Sequence, residues 1–244
     1  METFFEFFSF SDASIISVTV GAILLTASSA VVGTFTFLKK KALVGDAVAH
    51  SVLPGICMAF IISGNKNPLV LIIGAFITGW LSLVIIDGIT KKSKIKEDSA
   101  IALILSVFFG IGILMLTYIQ HSGNAAQTGL DSFLFGKAAA LVGNDVITFG
   151  VVAVILMLTV TLFFKELKLI SFDSNYAKAL GIPVKGIDLL LTTLTVLAVV
   201  TGIQAVGVIL MAAMLITPAA AARFWTDDVK KMTILAAFLG AIAG

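Results

Sequence analysis

Apolar blocks of about twenty residues, set apart by short lysine-bearing clusters, constrain this chain more than any other feature. They fall at 15–38, 42–62, 68–88, 99–119, 147–164, 187–203, 205–223 and from 232 to Gly244. A helix of about twenty residues spans roughly 30 Å, the thickness of a bilayer's hydrocarbon core. Backbone polar groups in lipid must be satisfied within the segment, which helices do and isolated strands do not. The blocks therefore predict an all-α polytopic membrane protein. Only 12% of residues are charged and the mean hydropathy is +1.12. A soluble protein built from this many buried helices would have too little polar surface to face water.

Lysine and arginine alternate between the connections. Lys39, Lys40 and Lys41 follow the first block, and Lys91, Lys92, Lys94 and Lys96 the third. Lys165, Lys168, Lys178 and Lys185 lie between the fifth and sixth, and Arg223, Lys230 and Lys231 after the seventh. The remaining connections hold only Lys66 and Lys137. The positive-inside bias makes the richer loops cytoplasmic and puts the N-terminus outside. Positions 1–12 carry acids and no base, the wrong start for a cleavable signal peptide. The region 120–146 is then external or partly re-entrant, and 165–186 is the longest cytoplasmic connection. Cys57 stands alone, so neither a disulfide framework nor a thiolate cluster is expected.

The second block contains Asp46 and His50. A helix beginning near Ala42 puts His50 about 13 Å beyond Lys41, close to the midplane, with Asp46 a turn nearer the cytoplasm. The i, i+4 spacing places both on one face. An intramembrane carboxylate facing lipid is costly, so this pair faces protein or water. It could be a structural bond between helices, a proton relay, or half of a ligand set for Mn, Fe or Zn. Pro54 and Gly55 just beyond it loosen the helix, as happens where backbone lines a cavity. No second such pair lies within the membrane. Two copies meeting at a twofold axis would supply two aspartates and two histidines. Asp87 reads as a boundary residue and His121 as a surface residue or, less simply, a capturing ligand.

In 165–186, Ser171 or Asp173 can cap a short helix whose apolar face is Tyr176, Ala177 and Leu180, with Gly181 and Pro183 as its stop. That segment could lie on headgroups or dock on a soluble partner. The seventh block, rich in alanine and glycine and containing Pro218, reads as a close-packing helix. No phosphate-binding G-x-x-x-x-G-K-[ST] loop is present. Uphill transport would thus take its energy from an ion gradient or from a separate subunit. The scarcity of intramembrane charge in the second half favours the latter.

Four stretches, KKKALVGDAVAHSVLPGI (39–56), GLDSFLFG (129–136), FDSNYAKALGIP (172–183) and QAVGVILMAAMLITPAAAARF (204–224), resemble the permease of bacterial ABC importers for manganese, zinc or iron. The resemblance implies an ABC importer permease fold related to the siderophore and cobalamin type, with 1–244 as a single transmembrane permease domain. Family members normally continue further, enough for the rest of the eighth span and one more. The resemblance also implies a second permease copy or close paralogue, two cytoplasmic ATPases that bind the ATP, and an extracytoplasmic metal-binding protein. No nucleic acid is expected, and no enzymatic activity or permanently bound cofactor in this chain. The location would be the bacterial cytoplasmic membrane. Asp46 and His50 match the family's translocation path, and the segment from Asp173 through Tyr176, Ala177 and Leu180 to Gly181 matches its coupling helix. Pro54, Gly55 and Pro218 would serve helix interruption and packing. Manganese is the leading cargo, ahead of zinc and iron. The rival expectations are a metal-chelate permease, a gradient-driven divalent cation carrier and a non-transporting scaffold.

Overall fold

The computed structural model describes residues 13–65, 67–121, 136 and 143–244. Every element among them is helical: α1 (Ala13–Leu38), α2 (Val44–Ser51), α3 (Leu53–Ser63), α4 (Pro68–Lys92), α5 (Glu97–His121), α6 (Gly143–Leu162), α7 (Phe164–Phe172), α8 (Ser174–Ala179), α9 (Val184–Val206), α10 (Val208–Arg223) and α11 (Val229–Ala243). Among the described residues, six segments are long and apolar enough to cross a bilayer, with α2 and α3 together forming one of them. The region 120–146, expected to be external or partly re-entrant, lies outside the described residues except for Gln120, His121, Gly136 and the start of α6.

Local chemistry explains the boundaries. Pro68 opens α4 behind Asn67, whose side chain accepts from the Leu69 amide at 3.1 Å. Gly64 ends α3 with φ at 64°. α1 ends in a Schellman turn: the Lys40 amide donates to Phe37 O at 2.8 Å and the Lys41 amide to Thr36 O at 3.1 Å. The left-handed position of that turn is held by Lys40, at φ 60°, where glycine is usual. Lys39, Lys40 and Lys41 are thereby folded back under the bundle.

α2 and α3 sit centrally, with α4, α5, α9 and α10 around them. α1 is the second hub and packs on α6, α9, α10 and α11. Lipid supplies no hydrophobic drive between helices, so small residues decide where they touch. A Cβ on Gly55 would overlap Gly74 O, and one on Gly74 would overlap Gly55 O, so α3 and α4 cross backbone to backbone. Gly55 is therefore a packing residue. The break belongs to Pro54, which has no N–H to give the carbonyl four residues back and interrupts the helix at Val52. The interruption is slight: Val52 stays right-handed, and the Val52 and Ile56 amides keep their bonds to Val48 O and Val52 O, each at 3.1 Å. Pro218 is buried inside α10, which runs through it without a break.

Two expectations need correction. The connection 165–186 holds two helices, because α7 continues from α6 after a single non-helical residue, Phe163, and buries Leu167 and Ile170. Ser171 lies within α7, its hydroxyl bonded to Leu167 O at 2.6 Å, so it caps nothing. Asp173 is the cap of α8, accepting from the Asn175 and Tyr176 amides at 3.0 and 2.8 Å. Tyr176, Ala177 and Leu180 also do not share a face. Ala177 is fully buried against the bundle, whereas Tyr176 and Leu180 are more than half exposed. Residues at i and i+4 align and the residue at i+1 turns away.

Candidate functional site

Asp46 and His50 occupy the one side of α2 that its neighbours leave open. Val44, Ala47, Val48 and Ser51 on the other sides are buried, whereas the side chains of Asp46 and His50 are 49% and 30% exposed. His50 Nε2 lies 3.4 Å from Asp46 Oδ1. The Phe109 ring of α5 meets the imidazole edge to face, centroids 5.2 Å apart and planes at 87°. That contact restrains the ring beside the Asp46 carboxylate.

A cavity of about 410 Å³ opens beside His50, lined by Leu53, Phe109 and the start of α10 from Gly207 to Leu210. Gly207 separates α9 from α10 with φ 85° and ψ 172°, a conformation open in practice only to glycine. Gly136 (φ 85°) rests on this break: a Cβ there would come within 2.5 Å of Gly207 N and 2.7 Å of Val206 C. The end of the GLDSFLFG stretch is thus seated on the wall of the His50 cavity. Sequence reasoning put the boundary between these spans three residues too early and missed Phe109, for which no local pattern gives a cue.

The pair can act as half of a coordination sphere. Two ligands each roughly 2.1 Å from a divalent ion stand about 3.0–3.5 Å apart at octahedral or tetrahedral angles. The observed 3.4 Å fits that bite without rearrangement. No group of three or more His, Cys, Asp or Glu side chains able to hold a metal occurs among the described residues. Cys57 Sγ is buried and points to Gly112 O at 3.8 Å. His121 is exposed at the opposite end of the bundle from the lysines, its Nδ1 2.8 Å from Thr117 O.

Asp87 is more than a boundary residue. Lys41 Nζ lies 2.8 Å from Asp87 Oδ1 and 3.8 Å from Glu97 Oε1, Lys91 Nζ lies 3.2 Å from Asp87 Oδ2, and Lys39 pairs with Asp188. These contacts join the end of α1 and the approach to α2 to α4, α5 and α9 at one end of the bundle.

The profile of the ABC 3 transport family matches residues 11–244. The chain is 52% identical over 227 residues to the manganese transport system membrane protein MntC of Bacillus subtilis (strain 168), covering 93% of this chain and 52% of that protein. It is 41% identical over 235 residues to the zinc transport system membrane protein TroC of Treponema pallidum (strain Nichols), covering 96% and 79%. The chain thus spans about half the length of the first relative and about four fifths of the second. Among solved structures, PsaBC from Streptococcus pneumoniae in complex with Fab superposes with a TM-score of 0.84 at 36% identity, covering 98% of this chain and 83% of that one. A metal-chelate type ABC transporter in an inward-facing conformation gives 0.71 at 17% identity, covering 94% and 74%, a likeness of fold alone.

Proposed function

On the premise that the chain belongs to the ABC 3 transport family, we propose that it is the membrane permease subunit of an ATP-driven importer carrying divalent metal ions into the cytoplasm. Manganese is the first candidate for the cargo, with zinc or iron after it. The observation that carries this reading is the half-open Asp46–His50 pair, spaced like two ligands of one ion within an otherwise apolar span.

Among the described residues, one chain offers two ligands here, and a divalent ion leaving water needs more. A second copy, or a close paralogue, facing the open side of α2 would double the set. Ile209 and Leu210, exposed beside the cavity, would then be covered at the subunit contact. The N-terminus would be outside the bacterial cytoplasmic membrane, with the lysine-paired end of the bundle in the cytoplasm. An extracytoplasmic binding protein would deliver the ion, and two ATPases would engage α8 through Tyr176 and Leu180.

In the transport step the bound ion exchanges water for carboxylate oxygen and imidazole nitrogen. The carboxylate supplies fixed negative charge where low dielectric would otherwise repel the ion. The imidazole must be neutral to ligate, and Phe109 holds it edge-on beside the carboxylate. Closure of the ATPases then moves the spans, and the ion leaves from Asp46 toward the cytoplasm. Release requires a modest site, so tight capture falls to the binding protein. A gradient-driven carrier would call for further intramembrane acids.

The test is radiolabelled Mn²⁺ uptake into vesicles holding the complete complex, with Asp46→Ala and His50→Ala. Each should abolish uptake while the subunits still co-purify. Normal uptake in either variant would remove the pair from the path.

A further inference from the structure

α8 and the start of α9 form one rigid piece. The Ile182 amide donates to Ala177 O at 3.1 Å, the Gly181 amide to Lys178 O at 3.0 Å, and Gly181 turns the chain with φ at 80°. Ala177 is fully buried in the same apolar cluster as Val184, Ile187 and Leu191 of α9. A push on the outer face of α8 is therefore delivered to the first turns of α9.

Asp188 projects from those turns onto Lys39. Lys39 directly follows α1 and leads through Lys40 and Lys41 into α2. This connection has no slack: the Schellman turn holds its beginning, and Lys41 is tied to Asp87 and Glu97. The Lys39 and Asp188 side chains are only 16% and 24% exposed, beside a water-sized cavity of about 20 Å³. A pair so placed is screened little by salt, and losing one partner leaves the other charge poorly solvated. α9 and α2 also meet through apolar side chains, Val196 and Val48 lying together over Gly79 of α4, and one neutral hydroxyl bond, Thr36 to Thr195 at 3.3 Å, joins α1 to α9 nearby. Apolar surfaces slide on one another, whereas an ion pair specifies both partners and direction.

We propose that the Lys39–Asp188 ion pair is a positioning link, through which displacement of α8 reaches α2 and with it Asp46 and His50. The inference rests on the reading of α8 as the ATPase-docking helix. Neither residue touches the ion. Their part is to make the depth and tilt of α2 follow α9.

The experiment uses the complete complex in proteoliposomes and measures radiolabelled Mn²⁺ taken up per ATP hydrolysed. Lys39→Met and Asp188→Asn should each keep co-purification with the ATPase and an ATPase rate within about twofold, yet lower the uptake-to-hydrolysis ratio by about fivefold or more. The reversed pair, Lys39→Asp with Asp188→Lys, should regain most of the ratio. A purely structural pair would change assembly or stability without separating hydrolysis from transport. Unchanged ratios in the single variants overturn the proposal, as does a reversed pair that assembles yet stays as uncoupled as they are. Loss of assembly that the reversal fails to repair also overturns it, because each charge would then be needed for itself. The docking reading is tested separately with Tyr176→Ser and Leu180→Ser. ATPase stimulation that survives those changes defeats the docking reading whatever the ion pair does.

Discussion

A Cβ on Gly33 would overlap the carbonyl of Leu215, so α1 and α10 touch backbone to backbone at that point. From its other side, Leu215 brings Cδ2 within 3.1 Å of where a Cβ on Gly45 would stand. One leucine thus spaces α1, α2 and α10. Gly45 immediately precedes Asp46, so this contact also sets the face that Asp46 presents. Gly33→Ala has no flexible neighbour to displace and should destabilise the permease by about 1–3 kcal/mol or more. Thermal unfolding in detergent would check it, and an unchanged midpoint would show that the crossing is looser than described.

Ala177 and Tyr176 should respond oppositely. Ala177→Glu buries an unpaired carboxylate among Val184, Ile187 and Leu191, a cost of several kcal/mol, so it should lower permease stability in the absence of any ATPase. Tyr176→Ser and Leu180→Ser alter only exposed side chains. They should leave the melting profile unchanged and reduce ATPase stimulation. Comparing melting of the isolated permease with stimulation in the complex separates the two roles; a stable Ala177→Glu variant would contradict the burial.

How much of this could be read from the chain depends on distance along it. The spans were legible because each is a local run of apolar residues, and Asp46 with His50 because the i, i+4 relation is local too. Asp173 as a cap follows from its position before the short helix. The inward turn of Ala177 was not legible, since α8 is only 6 residues long and shows no full period. Lys39 with Asp188, 149 positions apart, and Gly33 with Leu215 depend on how whole helices cross. Phe109 escaped for the same reason: its meeting with His50 is made by the packing of α5 on α2.

Lys40 is held where glycine is preferred, at φ 60°. Lys40→Gly should relieve the left-handed strain and stabilise the fold by about 0.5–1 kcal/mol, with glycine's extra freedom in the unfolded chain offsetting part of the gain. The Lys39 and Lys41 ion pairs should survive, so uptake should not fall. A lowered melting temperature would mean that the Lys40 side chain has a contact of its own to lose.

Carboxylate and imidazole make a borderline site, and zinc binds such donors more tightly than manganese whichever ion is carried. Discrimination should therefore come largely from the binding protein. With that protein present, a modest excess of Mn²⁺ should suppress labelled Zn²⁺ uptake. If it does not, while trace Zn²⁺ blocks Mn²⁺ uptake, zinc is the cargo.

Gly207 lines the His50 cavity and Gly136 packs against it, and their substitution should impair transport without removing a ligand. At φ 85° and ψ 172°, Gly207→Ala is strained by its own backbone, by about 1–3 kcal/mol. Relief would turn the first residues of α10 and move Val208 to Leu210, which line the cavity with His50. Gly136→Ala acts from the other side, since its new Cβ would press on Gly207 N and Val206 C. Both variants should retain Asp46 and His50 yet lower Mn²⁺ uptake. Because they disturb one contact, the double variant should lose less than the sum of the single losses. Full additivity in vesicle uptake would mean that the two glycines act at separate places and that Gly136 does not bear on the site through Gly207.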